Sequence, residues 1–250
     1  MHKRILALLV PAAILALWIL AGAAHWFAPD QLAPPDRVLA ELGSLWHRGL
    51  LQQDILASVL RVAAGFAIAF ALAVAVGTLV GLSHDAEEAL DPTLQAIRSV
   101  PSLAWVPLLL LWLGIGEPAK ITLIAIGAFF PIYVNLVAGI HGVDRKLVEV
   151  ARVLGLSPIA NATRVVLPAA YPSLLVGARI GLTQAWLFLV AAELLASTRG
   201  LGFMLTEGQQ ISRPDEILGA ILLLAIFGKL CESGMRLVER RTTAWTDGLR

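Results

Sequence analysis

The side chains able to do chemistry are few and scattered. His2, His25, His47, His84 and His141 form no His-Glu-x-x-His pair and no Ser-His-acid set, so zinc hydrolysis and nucleophilic catalysis lack a constellation. Asp85, Glu87, Glu88 and Asp91 cluster on a short acidic stretch that reads as a solvated turn, not a metal site. The single Cys231 can build neither an internal disulfide nor a Cys/His cluster. No Gly-x-x-x-x-Gly-Lys-[Ser/Thr] occurs, and Gly228-Lys229 lacks both the upstream glycine and the following hydroxyl that hold phosphates and magnesium. The expectation is a chain that is not an enzyme, with no metal and no cofactor.

What remains is polar chemistry set inside apolar sequence. Trp105, Trp112, Asn135, Thr183, Gln184, Trp186 and Glu193 lie in or beside long apolar runs. Burying such groups in lipid is expensive, which makes them candidates for a translocation path. Other readings stay open: Trp105 and Trp112 as interfacial anchors, Asn135 and Gln184 as bonds between helices, Glu193 as a residue of the outer interface. For an anionic solute Arg179 is electrostatically more attractive than Glu193. Its place near the inner end of a span is explained equally by the excess of basic residues on that side.

The elements that must position these groups follow from composition. At 58% hydrophobic, 15% charged and a mean hydropathy of +0.79, the 250 residues are far more apolar than a globular domain, where about half is apolar and about a quarter charged. The chain is an all-α polytopic membrane protein. Its net charge is +1 and no basic run exceeds a pair such as Arg240-Arg241, which excludes a nucleic-acid surface. A bilayer crossing needs roughly 20 apolar residues. Residues 5–29, 62–83, 99–116 and 121–143 qualify cleanly; 172–196 and 214–237 qualify with Arg179, Glu193, Lys229 and Glu232 near their ends. About six transmembrane helices result. His2-Lys3-Arg4 and Ala21-Gly22-Ala23 would suit a cleaved leader, but the apolar run exceeds the usual h-region, so the first span is read as retained.

Lys and Arg set the orientation. With the N-terminus inside, the inner segments hold ten (Lys3, Arg4, Arg145, Lys146, Arg152, Arg164, Arg236, Arg240, Arg241, Arg250) and the outer loops four (Arg37, Arg48, Arg199, Arg213). Both termini are expected in the cytoplasm. The chain divides into 1–54, a first span plus an outer amphipathic segment; 55–240, a five-span core carrying a cytoplasmic loop at 144–168; and a tail at 241–250. In the outer segment Asp36 is expected to cap a short helix with apolar residues at 38, 39, 42, 45 and 46.

The 144–168 loop carries the strongest local signals. Asp144 can cap a helix whose Arg145, Glu149 and Arg152 share one face, with Leu147, Val148, Ala151 and Leu154 on the other. Gly155 suits the left-handed residue that ends it, Ser157-Pro158 starts a second helix, and Leu167-Pro168 is expected to stop that one. Gly77-x-x-x-Gly81 and Gly177-x-x-x-Gly181 are spacings for close helix packing. Pro101, Pro107 and Pro131 can kink helices that line a path.

Glu149-Val-Ala151-Arg-Val-Leu-Gly155, then Val165-Val-Leu167-Pro168, resembles the EAA loop of permease subunits of binding-protein-dependent ABC importers. Val150 and Val165 are conservative departures from that pattern. Ile97 to Pro107, Leu111 to Glu117, Phe129 to Ile132, Gly139 to Asp144 and Ala191 to Gly202 are similar to the nitrate, taurine and aliphatic sulfonate branch. The resemblance implies a type I importer permease in a bacterial inner membrane, importing a small oxyanion. It implies that Glu149, Ala151, Gly155, Leu167 and Pro168 form the contact with a separate ATPase, to which the charged stripe adds Arg145 and Arg152. Two ATPase copies and a periplasmic or lipid-anchored binding protein are the implied partners. Since six spans are too few to enclose a path, two copies of the chain about a two-fold axis are expected. An ion-gradient-driven transporter or channel is the alternative; it would favour paired inverted repeats, and none is obvious.

Overall fold

A computed structural model describes residues 2–24, 26–28 and 31–243. Every regular element is a helix among these residues. They are α1 (His2–Ala23), α2 (Pro35–His47), α3 (Leu50–Leu82), α4 (His84–Ser99), α5 (Val106–Leu113), α6 (Glu117–His141), α7 (Arg145–Val153), α8 (Pro158–Asn161), α9 (Leu167–Ala196), α10 (Leu201–Gln210) and α11 (Pro214–Thr242). Residues 244–250 of the expected tail lie outside the described residues.

Four stretches are long and apolar enough to cross a bilayer: Leu50–Leu82, Glu117–His141, Pro158–Leu195 and Pro214–Thr242. A fifth arises if α4 and the helix ending at Leu113, bent by 85°, count as one broken span. The crossing expected over 99–116 is therefore broken, with no single helix across it. Val100 is extended ahead of Pro101, a tight turn covers Ser102–Trp105, and Gly114 at φ +74° ends α5 after eight residues. Eight residues rise only about 12 Å, against a hydrocarbon core of about 30 Å. Proline and glycine broke a run whose apolar length alone looked sufficient.

Two further local expectations are corrected. The acidic stretch is helical: Ser83 Oγ accepts the Ala86 N–H at 3.3 Å, and Asp85 and Glu87 sit in the first turn of α4, where carboxylates favour the helix dipole. Asp36 is not a cap. Pro35 occupies the first position of α2, so Asp36 lies inside its first turn.

One compact unit comprises residues 1–58 and 197–226. Within it, Trp18 Nε1 donates to the Ala33 carbonyl at 3.0 Å, and α2 buries Val38 and Leu45. Asp54 accepts the Gly200 N–H at 2.8 Å and Ser58 Oγ accepts the Leu201 N–H at 2.9 Å, so side chains of α3 cap the start of α10.

The other unit comprises 59–196 and 227–250. Its centre is the α6–α9 pair. A Cβ at Gly177 would stand 2.8 Å from Asn135 Cβ and 2.9 Å from the Pro131 carbonyl; at Gly181 it would stand 2.9 Å from the Ala128 carbonyl. Backbone meets backbone there because no side chain intervenes. Gly77 and Gly81 on α3 instead make room for the side chains of Leu136 and Ile140 of α6. Ala73 and Val80 of α3 complete a core with Ile132 and Tyr133, and Val166 and Ala170 close on Leu136 and Ile140.

Candidate functional site

The elbow between α6 and α9 is fixed by local chemistry at each corner. Asp144 Oδ1 accepts the Lys146 N–H at 2.9 Å and starts α7. Gly155 adopts φ +76°, its N–H reaches the Arg152 carbonyl at 2.9 Å, and the Leu156 N–H reaches the Ala151 carbonyl at 3.1 Å. Those two bonds satisfy carbonyls that the end of a helix leaves open, and they need a residue tolerant of positive φ. Ser157 Oγ then accepts the Ala160 N–H at 3.3 Å, with Pro158 at the first position of α8.

The second helix does not stop at Leu167-Pro168. A wide turn over Ala162–Val166, in which the Leu167 N–H bonds to the Ala162 carbonyl, carries the chain from α8 directly into α9. Pro168 lacks an N–H and its ring needs room over the preceding turn; the widened turn leaves that room, so the proline is absorbed. Sequence spacing could not show this.

Burial on α7 also departs from the expected face. Ala151 is buried and Val148 packs toward the core of Leu136, Ile140, Val166 and Ala170. Leu147 and Leu154, placed on the face opposite the charged stripe, are exposed, and Val153 is 87% and Ile159 78% exposed. Arg145, Glu149 and Arg152 are exposed as well. The elbow thus presents both a charged stripe and an apolar patch.

The path candidates separate by their partners. Asn135 Nδ2 donates to the Pro131 carbonyl at 2.8 Å and Thr183 Oγ1 to the Arg179 carbonyl at 3.1 Å, each within its own helix. Gln184 is half-buried and Trp112 exposed. Trp105 lines a largely apolar cavity of about 350 Å³ with Ile68, Phe129 and Phe130. Trp186 is buried and stacks on Phe227, ring centres 6.1 Å apart. Both indole N–H groups are buried with no hydrogen-bond partner among the described residues. Arg179 lies 3.2 Å from Glu239 and shares a polar cavity of about 550 Å³ with Asn135, Arg236 and Arg240.

Glu193 is fully buried and paired. Arg61 Nη1 donates to it at 2.6 Å, and the same guanidinium donates through Nε and Nη2 to both oxygens of Glu117 at 2.7 Å. Lys120 Nζ adds a bond to Glu117 at 3.0 Å. Two cations and two carboxylates therefore tie α3, α6 and α9 together as a neutral set, the condition under which buried charge is tolerated. Sequence reading passed over Arg61, Glu117 and Lys120 as charges flanking apolar runs. The available signal was Arg61 itself, which stands well inside a helix that begins at Leu50.

Residues 73–244 match the family of binding-protein-dependent transport system inner membrane components. The chain belongs to that family. A protein of Bacillus subtilis named as an aliphatic sulfonates transport permease, SsuC, is 42% identical over 95% of this chain and 86% of its own length. The Escherichia coli taurine transport system permease TauC is 37% identical over 94% and 87%, and the Synechocystis nitrate import permease NrtB 38% identical over 74% and 68%. An inward-facing MetNI methionine ABC transporter chain superposes with a TM-score of 0.68 at 21% identity, covering 77% of this chain and 96% of that one, which speaks for the fold. The permease is thus a non-catalytic, multi-pass inner-membrane subunit of an ABC importer, and its family implies an ATPase and a substrate-binding protein as partners. Between an importer and an ion-gradient-driven transporter, membership decides for the importer.

Proposed function

We propose that this permease carries a small oxyanion, an aliphatic sulfonate, taurine or nitrate, and that the elbow at 144–168 couples it to a separate ATPase. The exposed elbow carries this reading. A turn that leaves Val153, Leu154 and Ile159 in the open beside Arg145, Glu149 and Arg152 has the composition of a docking surface, exposed apolar side chains with charged ones. A helix of this kind lies in a groove of its partner. Val148 and Leu167 pack on one core, that of Leu136, Ile140, Val166 and Ala170, so a push on α7 reaches α9.

The oxyanion reading draws on the three relatives and on the indoles of Trp105 and Trp186. An indole N–H only donates, and a buried donor without a partner is a ready contact for an anion's oxygen. The apolar cavity beside Trp105 suits the alkyl part of a sulfonate. Glu193 acts through Arg61 and does not touch the anion. Two permease copies, two ATPases and a periplasmic or lipid-anchored binding protein on the outer face complete the assembly, with both termini cytoplasmic.

ATP-dependent uptake of radiolabelled sulfonate, taurine and nitrate by Glu149→Lys tests the coupling. The variant inserts at normal abundance and loses uptake; wild-type uptake would remove Glu149 from the mechanism.

A further inference from the structure

The unit of residues 1–58 and 197–226 holds a cavity of about 290 Å³ walled by Leu45, Phe203 and Met204 and by the carboxylates Glu207 and Glu216. Most of its charges are already matched. Arg48 pairs with Glu41 at 3.3 Å, Arg213 pairs with Glu41 at 2.5 Å and Asp215 at 2.8 Å, and Asp54 accepts the Gly200 N–H. These bonds hold the Arg213 guanidinium above its ordinary pKa, so it stays charged and committed to them.

Glu216 differs. It is only 4% exposed and lines the cavity, yet it accepts no hydrogen bond and makes no ion pair among the described residues. A buried carboxylate that accepts no hydrogen bond is unfavourable, so the position has room for a further donor beside Arg199 and Arg213, which line the same cavity. Exposed Glu207 adds a second carboxylate to the same cavity. Among the described residues no group of three or more His, Cys, Asp or Glu side chains could hold a metal ion, which turns attention to an organic cation.

We propose that this cavity binds an alkyl cation: a primary ammonium or guanidinium head donates to Glu216 while its methylene stem lies on Leu45, Phe203 and Met204. Long cationic side chains behave this way, with the stem on apolar surface and the head on oxygen. Two sources present such a group, a lysine or arginine side chain of a partner protein and a free amine.

Saturation-transfer NMR of the full-length permease in maltoside micelles, with n-butylammonium as probe and n-butanol as neutral control, reads the site. Saturable transfer to the ammonium and not to the alcohol is expected, with affinity falling about tenfold or more in Glu216→Gln. Glu207→Gln keeps the test open if the first variant does not fold, with a smaller loss; Glu88→Gln on α4 leaves binding unchanged. Absence of transfer, or equal binding by wild type and Glu216→Gln, overturns the proposal. Should n-butylammonium block association of the substrate-binding protein, the source is a partner's side chain; undisturbed association assigns a free amine.

Discussion

Arg61 on α3 and Glu193 on α9, 132 residues apart in sequence, meet at 2.6 Å in a buried contact, and the same guanidinium clasps Glu117 at the start of α6 with two bonds. One side chain therefore holds three helices. Removing one partner of a buried pair costs about 3–5 kcal/mol, because the remaining charge loses its counter-ion inside the protein. Arg61→Ala should markedly lower the thermal unfolding temperature in detergent. Arg61→Met with Glu193→Leu should recover much of the loss, since Glu117 is half exposed and keeps Lys120. A double variant as unstable as the single one would show that shape, not charge balance, holds the helices.

Close approach of α6 and α9 gives a second expectation. A methyl at Gly177 would press on Asn135 Cβ at 2.8 Å and on the Pro131 carbonyl at 2.9 Å, and backbone cannot yield cheaply. Gly177→Ala should destabilise by about 1–3 kcal/mol. Gly228→Ala on α11 meets nothing within 4 Å and should be neutral or stabilising by up to about 1 kcal/mol. Thermal unfolding of the two side by side decides it.

At Gly155 the constraint is backbone alone, since nothing lies within 4 Å of a Cβ there and φ is +76°. Gly155→Val should strain the elbow by about 1–2 kcal/mol and depress ATP-driven uptake, while Gly155→Asn, which tolerates this conformation, should retain it. Uptake by Gly155→Val equal to wild type would mean the elbow does not depend on this turn.

Trp186→Phe keeps an aromatic ring against Phe227 but deletes the N–H together with the pyrrole half of the indole. If that donor meets the anion, the half-saturating concentration for uptake should rise about tenfold with abundance unchanged. A fall in abundance with affinity intact would assign the indole a packing role.

These contrasts show what the sequence could convey. Asp144, Gly155 and Ser157 were legible because each acts on backbone within a few residues. The path through Leu167-Pro168 was not, because a widened turn absorbs a proline that otherwise ends a helix. Residues 99–116 misled because apolar length is counted without the breaks that Pro101 and Gly114 impose. Arg61 was visible as a charge beside an apolar run, but its partners, 56 and 132 residues away, were not.

The most direct test of the coupling elbow places a cysteine at Val153, the most exposed of its large apolar residues, in a Cys231→Ser background. A short photo-reactive maleimide there should cross-link to the ATPase in assembled importer, and an impermeant thiol reagent added from the binding-protein side should leave the cysteine unmodified. A cysteine that is labelled from that side and never captures the ATPase would contradict the account.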